Sequence, residues 1–207
     1  KSVIVSMSLE AIGRMSCNPA IGGLAKSHLV HEIDALGGLM SVAADYAGIQ
    51  FKTLNISKGR AVQSLRIQTD KKKYPTFVQS FLKKQKNISF LEGEVVSFSV
   101  EKGAVSSLKM RSGETYSCSA LIITSGTFLN GLIHIGNKSF RAGRLGEMAS
   151  IGLTENLQAY GFSMDRLKTG TPPRLLKKSI NWSQALASSG DKNPRPFSLF
   201  RSNKKIK

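Results

Sequence analysis

The chain is poor in acid: 13 Asp and Glu stand against 30 Lys and Arg, a formal net charge of +17 over 207 residues. A surface so basic gathers polyanions and releases their counterions on contact, so a nucleic-acid partner is a working expectation. Lys71 to Lys73, Lys83 to Lys86 and Lys204 to Lys207 read equally well as solvated charge. Cysteine is scarce too. The only two, Cys17 and Cys118, lie far apart, which argues against a disulfide framework or a C-x-x-C metal site. His28, His31 and His134 show no metal-ligand spacing, so no metal is expected and structural or surface roles are assigned to them. No run approaches the roughly 18 to 20 apolar residues of a membrane helix, and no secretory leader is apparent at the start, so the expectation is a cytoplasmic chain with no membrane partner. No internal repeat is visible, and no G-x-G-x-x-G phosphate-binding turn occurs.

What is present includes 41% hydrophobic residues, enough for a globular core. Residues 3–6 read as a short buried strand. Ile21, Leu24, Ala25, Leu29, Val30, Ile33 and Leu36 fall at helical spacing and predict a helix over residues 19–36, with Asn18 as N-cap, Pro19 at the first helical position and Gly37-Gly38 as the stop. Residues 40–69 mix polar and apolar positions and are expected to form a loop-rich crossing. Pro75 predicts a second helix that begins at the proline and runs to about Lys84.

Four apolar stretches over residues 88–118, separated by Lys102-Gly103 and Ser112-Gly113, predict a β-meander. The continuous run at 120–124, stopped by Ser125-Gly126-Thr127, predicts a parallel strand covered on both faces. Residues 151–160 can form a helix, residues 169–173 are extended around two prolines, and the last ten or so residues read as a loose tail. The order of elements predicts an α/β fold: an incomplete FAD/NAD(P)-binding Rossmann-like domain over 1–198 with an inserted meander, followed by a basic tail at 199–207. Its first strand and glycine loop are expected upstream of Lys1.

Specific stretches carry a resemblance. Met15-Ser16-Cys17-Asn18-Pro19-Ala20-Ile21-Gly22-Gly23, and then His31-Glu32-Ile33-Asp34-Ala35-Leu36-Gly37-Gly38-Leu39-Met40, resemble the GidA/MnmG family of flavin-dependent tRNA-uridine modifying enzymes. Ala47-Gly48-Ile49-Gln50-Phe51, Ser57-Lys58-Gly59, Gly126-Thr127-Phe128-Leu129 with His134-Ile135-Gly136, and Arg166-Leu167-Lys168-Thr169-Gly170-Thr171-Pro172-Pro173-Arg174 follow in the family's order. Arg60, Pro75 and Ser27 depart from the usual pattern and bear on local geometry only. The resemblance implies an enzyme, about three times this length, that forms the 5-carboxymethylaminomethyl group on the wobble uridine of certain tRNAs. It further implies FAD, NADH, a methylenetetrahydrofolate and glycine or ammonium, an MnmE-type GTPase as partner, and a homodimer. Two other functions fit less of the sequence: a related flavin- and folate-dependent tRNA uracil methyltransferase, and a basic tRNA-binding module without chemistry.

Cys17, read as preceding a helix N-terminus, is either a thiolate-prone cysteine or a small buried thiol, and the resemblance implies a catalytic role. Asn18, Gly22 and Gly23 suit contact with a flavin's polar edge or, equally, a close packing contact. The resemblance and the fold it implies add Val95, Gly126, Thr127 and Ser150 as flavin contacts. Lys58, Arg66, Lys168 and Arg174 are basic side chains within the matched stretches and are candidates for tRNA contact.

Overall fold

The computed structural model describes residues 1–16 and 18–201. In chain order the regular elements are β1 (Ser2–Ser6), β2 (Ala20–Gly22), α1 (Ser27–Ala35), α2 (Leu39–Ala47), β3 (Gly48–Leu54), β4 (Ser64–Thr69) and α3 (Lys73–Lys83). They continue with β5 (Ile88–Glu92), β6 (Val95–Glu101), β7 (Ala104–Met110), β8 (Thr115–Ser117), β9 (Leu132–Ile135), β10 (Lys138–Arg141) and α4 (Leu153–Ala159). The fold is mixed α/β and divides into two compact units. One, the meander unit, combines Lys1–Leu9 with Ser89–Lys168; the other, the helical unit, combines Glu10–Ile88 with the chain from Thr169 onward. Among the described residues no helix is long and apolar enough to cross a membrane.

In the helical unit, β2, β4 and β3 form an antiparallel sheet in that order, against which α1 and α2 pack. The helix expected over residues 19–36 begins only at Ser27. Its first third is a strand because β4 offers a complete ladder: Thr69 N donates to Pro19 O at 2.7 Å, Ala20, Ile21 and Gly22 pair with Gln68, Ile67 and Arg66, and Gly23 N donates to Leu65 O at 2.9 Å. Backbone groups that would be orphaned at a helix start are thereby satisfied, and Asn18 and Pro19 are neither cap nor first turn. The chain then turns through Gly22 (φ +81°) and Gly23 (φ +97°), and Lys26 N and Ser27 N donate to Gly23 O to open α1.

Residues 40–69 are regular rather than loop-rich, forming α2, β3 and β4. Their pattern is blurred because polar side chains turn inward: the Ser41 hydroxyl, fully buried, donates to the Asp34 carboxylate. Helix α3 starts two residues before Pro75, which occupies the first turn where no N–H is required. Asp70 caps it, Oδ1 accepting from Lys72 N (2.8 Å) and Lys73 N (2.9 Å).

The core of this unit comprises Val30, Ala43, Ala44, Ala47, Phe51, Ile67, Tyr74 and Phe197. Phe197 arrives from far along the chain and is fully buried. Asp45 accepts from Phe197 N (2.6 Å) and Ser198 N (2.9 Å), and Asp34 Oδ2 accepts from Leu199 N (2.8 Å). The end expected to be loose is therefore anchored at residues 197–199; residues 202–207 of the expected tail lie outside the described residues.

In the meander unit β6, β7 and β8 form the expected antiparallel meander, with β6↔β7 register Phe98↔Leu108 and β7↔β8 register Leu108↔Tyr116. The first of the four stretches does not join it: β5 pairs with β1 instead. Helix α4, within the predicted 151–160, covers β6. Asn156 Oδ1 accepts from Phe98 N (2.8 Å) and the Tyr160 hydroxyl from Val100 N (3.0 Å), so the outer edge of β6 is occupied by side chains rather than left free. Residues 120–124 are not the doubly covered strand expected. No described strand runs alongside to complete a ladder, and Ile122 is 86% exposed while Leu121 and Ile123 line an apolar cleft of about 270 Å³ with Phe98, Val105 and Leu157. Residues 169–173 adopt no regular element.

Two outcomes follow for the helical unit. Phe197→Ala removes a buried aromatic and should cost about 3 to 5 kcal/mol, read from urea denaturation. Burial works against the charge of Asp34, but the bonds from Ser41 and the Leu199 N–H, with the nearby His31, hold its carboxyl below the ordinary 3.8. A depressed folded value means that the stability it adds is complete above 3.8 and is lost as pH falls through the lower folded value. Asp34→Asn should therefore flatten the acid limb of a stability profile.

Candidate functional site

In the helical unit the residues with functional expectations gather at the β2 turn. Gly22 lies opposite Arg66 in the sheet, and Arg66 Nη2 donates to Asn18 Oδ1 at 3.3 Å. Gly22 is needed for packing: a Cβ there would meet Phe197 Cε2 at 2.7 Å as well as the Leu65 carbonyl, and φ is +81°. Gly23 differs. A Cβ there would meet nothing nearer than Arg66 Cδ at 3.9 Å, so this glycine leaves open space beside Arg66. Lys58 stands exposed on the loop between β3 and β4, held by Lys58 N to Asn55 O (2.9 Å), and Arg174 is exposed on a stretch without regular structure. Cys17 lies outside the described residues. The helix start on which its thiolate argument rested is not adjacent, since α1 begins at Ser27.

In the meander unit a second group forms around Phe128. Phe128 N donates to Ser125 O (3.1 Å) and closes the turn bearing Gly126 and Thr127. The Thr127 hydroxyl donates to Gly143 O (2.9 Å), Ser150 N donates to Phe128 O (2.8 Å), and Asn130 N returns to Ser150 O (2.8 Å). Arg144 stacks its guanidinium 5.7 Å from the centre of the Phe128 ring. Gly126 has φ +58° with no atom within 4 Å of where a Cβ would stand, and neither its N–H nor that of Thr127 donates to a backbone carbonyl among the described residues. The turn therefore presents two backbone donors on an open surface, an arrangement suited to an anionic or carbonyl oxygen.

Val95 opens β6 and pairs with Met110. Its neighbour Glu94, missed by sequence reasoning, ties β6 to the Ser150 segment. Arg111 donates to it through Nε (2.5 Å) and Nη2 (2.9 Å), and Ile151 N through a 3.0 Å bond. Arg111 Nη2 also reaches Ile151 O at 2.9 Å. The Arg111 guanidinium, followed by the Ile151 N–H, holds the Glu94 carboxyl below its ordinary 4.5 despite partial burial. Asn130 is fixed in the same way, its side-chain amide donating to Glu155 (2.7 Å) and its backbone carbonyl accepting from Arg166 Nη1 (3.0 Å). Nothing in the sequence marks Glu94 except its place between Gly93 and Val95 at a strand start. Thr127 and Ser150 thus join the bonds around Phe128, Val95 adjoins Glu94 at the start of β6, and Gly126 lies on the turn beside Thr127, while Lys168 is exposed at the end of this unit.

The whole chain, residues 1–207, matches the family described as Glucose inhibited division protein A. The chain belongs to that family. It is 48% identical over 206 residues to a protein of Bdellovibrio bacteriovorus named tRNA uridine 5-carboxymethylaminomethyl modification enzyme MnmG, and 50% identical over 206 residues to one of the same name from Thermodesulfovibrio yellowstonii. Each match covers 100% of this chain and 32% or 33% of the relative, so the chain spans about a third of their length. The crystal structure of Aquifex aeolicus GidA superposes with a TM-score of 0.89 at 45% identity, covering 96% of this chain and 33% of that one. The α/β architecture is thus shared with a solved member of the GidA family.

Glu94→Gln keeps the shape but weakens the charge-assisted bonds. It should destabilise the meander unit by about 1 kcal/mol at neutral pH. Because the folded value lies below 4.5, wild type should lose this increment as pH falls through that lower value, and the variant should not; chemical denaturation at several pH values measures both.

Proposed function

We propose that this chain supplies part of the flavin-binding region of an enzyme that forms the 5-carboxymethylaminomethyl group on the wobble uridine of tRNA. The observation that carries this reading is the 48 to 50% identity over 206 residues with two proteins of that name. The enzyme would be cytoplasmic and homodimeric and would work with an MnmE-type GTPase, drawing on FAD, NADH and methylenetetrahydrofolate. FAD, when bound, supplies the electron transfer.

The residues present fit part of such a cofactor's site. The open Gly126–Thr127 turn offers two backbone donors, with Ser150 and the Glu94 bridge fixing its surroundings, and in the helical unit Gly23, though buried, has no close neighbour on its side-chain side other than Arg66. The chain's sequence contains no G-x-G-x-x-G turn, the usual cradle for a pyrophosphate. Within the helical unit Asn18 and Gly23 would be cofactor contacts, and within the meander unit Val95, Gly126, Thr127 and Ser150 would be. Cys17 would act as the nucleophilic thiol toward the uridine ring, a role supported by the family resemblance of the stretch from Met15 to Gly23. Lys58, Arg66, Lys168 and Arg174 would contact tRNA phosphates.

Two measurements test this. In the full-length enzyme, Cys17→Ser should abolish the modified nucleoside in tRNA hydrolysates while flavin content stays unchanged; undiminished modification would remove Cys17 from the chemistry. The 207-residue chain alone should emerge from gel filtration with far less than stoichiometric FAD, and a fully yellow protein would contradict the need for a separate pyrophosphate loop.

A further inference from the structure

We infer that the solvent face of α3 is a contact surface for the phosphate backbone of RNA. This rests on the tRNA-modifying reading above and adds to it a surface that none of the matched stretches contains.

From Lys71 to Leu91 the sequence holds six lysines, Lys71, Lys72, Lys73, Lys83, Lys84 and Lys86, and no Asp or Glu. All six are exposed. Packing fixes which way the helix faces. Tyr74 is buried, Phe77 stacks on Tyr46 with ring centroids 4.6 Å apart, and Val78 lies against Gly13. On one flank the Gln79 amide donates to Ile12 O (2.9 Å) and Glu10 O (3.1 Å). The exposed positions of the helix are Lys73, Thr76, Ser80, Phe81 and Lys83, flanked by Lys72 and Lys84, with Gln79 in the same sector as Lys72 and Lys83. At 100° per residue, Lys72, Thr76 and Lys83 fall within about 40° of one another, with Ser80, Lys73 and Lys84 beside them. The 11 residues of α3, Lys73 to Lys83, span about 16 Å, long enough to meet several phosphates.

Neutralisation from within the protein is slight. Asp70, at the N-terminal end, points its carboxylate at the Lys72 and Lys73 backbone N–H groups as a cap, and none of the six lysines forms a salt bridge among the described residues. An ordinary solvated helix face mixes both signs and gains from i,i+4 pairs; this one has only repulsion between its own charges, which a polyanion relieves. The Ser80 hydroxyl adds a short neutral hydrogen-bonding group beside the cations, the Thr76 hydroxyl being already donated to Lys72 O (2.8 Å), a composition suited to backbone positioning rather than base reading.

The test is binding of an unmodified tRNA transcript to the 207-residue chain by fluorescence anisotropy across a range of salt concentrations. The probe variant is Lys72→Gln/Lys73→Gln/Lys83→Gln, and the control Lys102→Gln/Lys109→Gln/Lys138→Gln removes the same charge from the meander unit. The α3 variant should weaken binding at least tenfold and lower the slope of log K against log salt by about 2, as expected at roughly 0.7 to 0.9 per phosphate contact, with the control changing much less. Equal losses in the two variants would reduce the effect to net charge and overturn the assignment, as would an unchanged slope, failure of the wild-type chain to bind RNA, or a greater effect on anionic phosphatidylserine vesicles than on tRNA. Unchanged thermal melts of the variants confirm that folding is intact. Flavin content and Cys17-dependent modification in the full-length enzyme report on the catalytic reading separately, so either can fail alone.

Discussion

Two carboxylates hold the helical unit together from the inside. Asp34 and Asp45 sit on consecutive helices, and between them they take the N–H groups of Phe197, Ser198 and Leu199, residues more than 150 positions away. Asp34 is buried and Asp45 half-buried, and the buried Phe197 and Ser198 need acceptors for their N–H groups, so the carboxylates and the backbone donors answer one another. The consequence is a fixed position for Phe197. Its ring fills the space beneath Gly22, where any side chain would collide with it, and lies 4.7 Å from the His31 ring. The β2 turn, and with it Asn18, Gly23 and Arg66, therefore depends on a segment that local pattern gives no reason to associate with it.

The meander unit uses the same device with a different partner. Glu94 collects two donors from Arg111 and one from Ile151, joining the start of β6, the end of β7 and the segment that bears Ser150. Arg111 is half exposed while Glu94 is nearly covered, so losing the guanidinium would leave a covered carboxylate short of donors, whereas losing the carboxylate leaves a cation that water can solvate. Bidentate pairing sets angle as well as distance, and the segment it holds at Ile151 adjoins the isolated parallel bridge between Leu129 and Ser150.

How much of this was legible in sequence divides along a physical line. Where one segment's own periodicity decides its conformation, the reading is close: the meander turns at Lys102-Gly103 and Ser112-Gly113, the helix over 153–159 and the proline-led α3 all appear near their expected places. Where a distant partner decides, it fails. Residues 20–22 carry a helical apolar pattern but become a strand because β4 supplies a ladder, and α2 was hidden because Ser41 and Asp45 point inward to bonds that sequence spacing cannot announce. The run at 120–124 has the composition of a doubly covered strand and lacks ladder neighbours among the described strands. Of the candidate site, the glycine and hydroxyl positions could be named from family resemblance, whereas Glu94, Asp34 and Asp45 could not, because a supporting carboxylate is defined by what it touches.

The glycines show how support and function separate within one motif. Gly22 and Gly23 are adjacent, both at positive φ, and from sequence alone they carry the same expectation of ligand contact. Added bulk at Gly22 would strike the protein's own Phe197 ring and Leu65 carbonyl, so the absence of a side chain there is explained completely by packing. At Gly23 and at Gly126 added bulk would strike almost nothing, and yet both hold backbone conformations that an L-residue adopts only at a cost. A glycine that neither packing nor crowding explains leaves two reasons, the turn itself and whatever approaches it from outside. Because residues 126 and 127 are exposed, water satisfies the two N–H groups that lack backbone partners, so the positive φ of the turn accounts for the glycine, and the donors leave room for an external acceptor without requiring one.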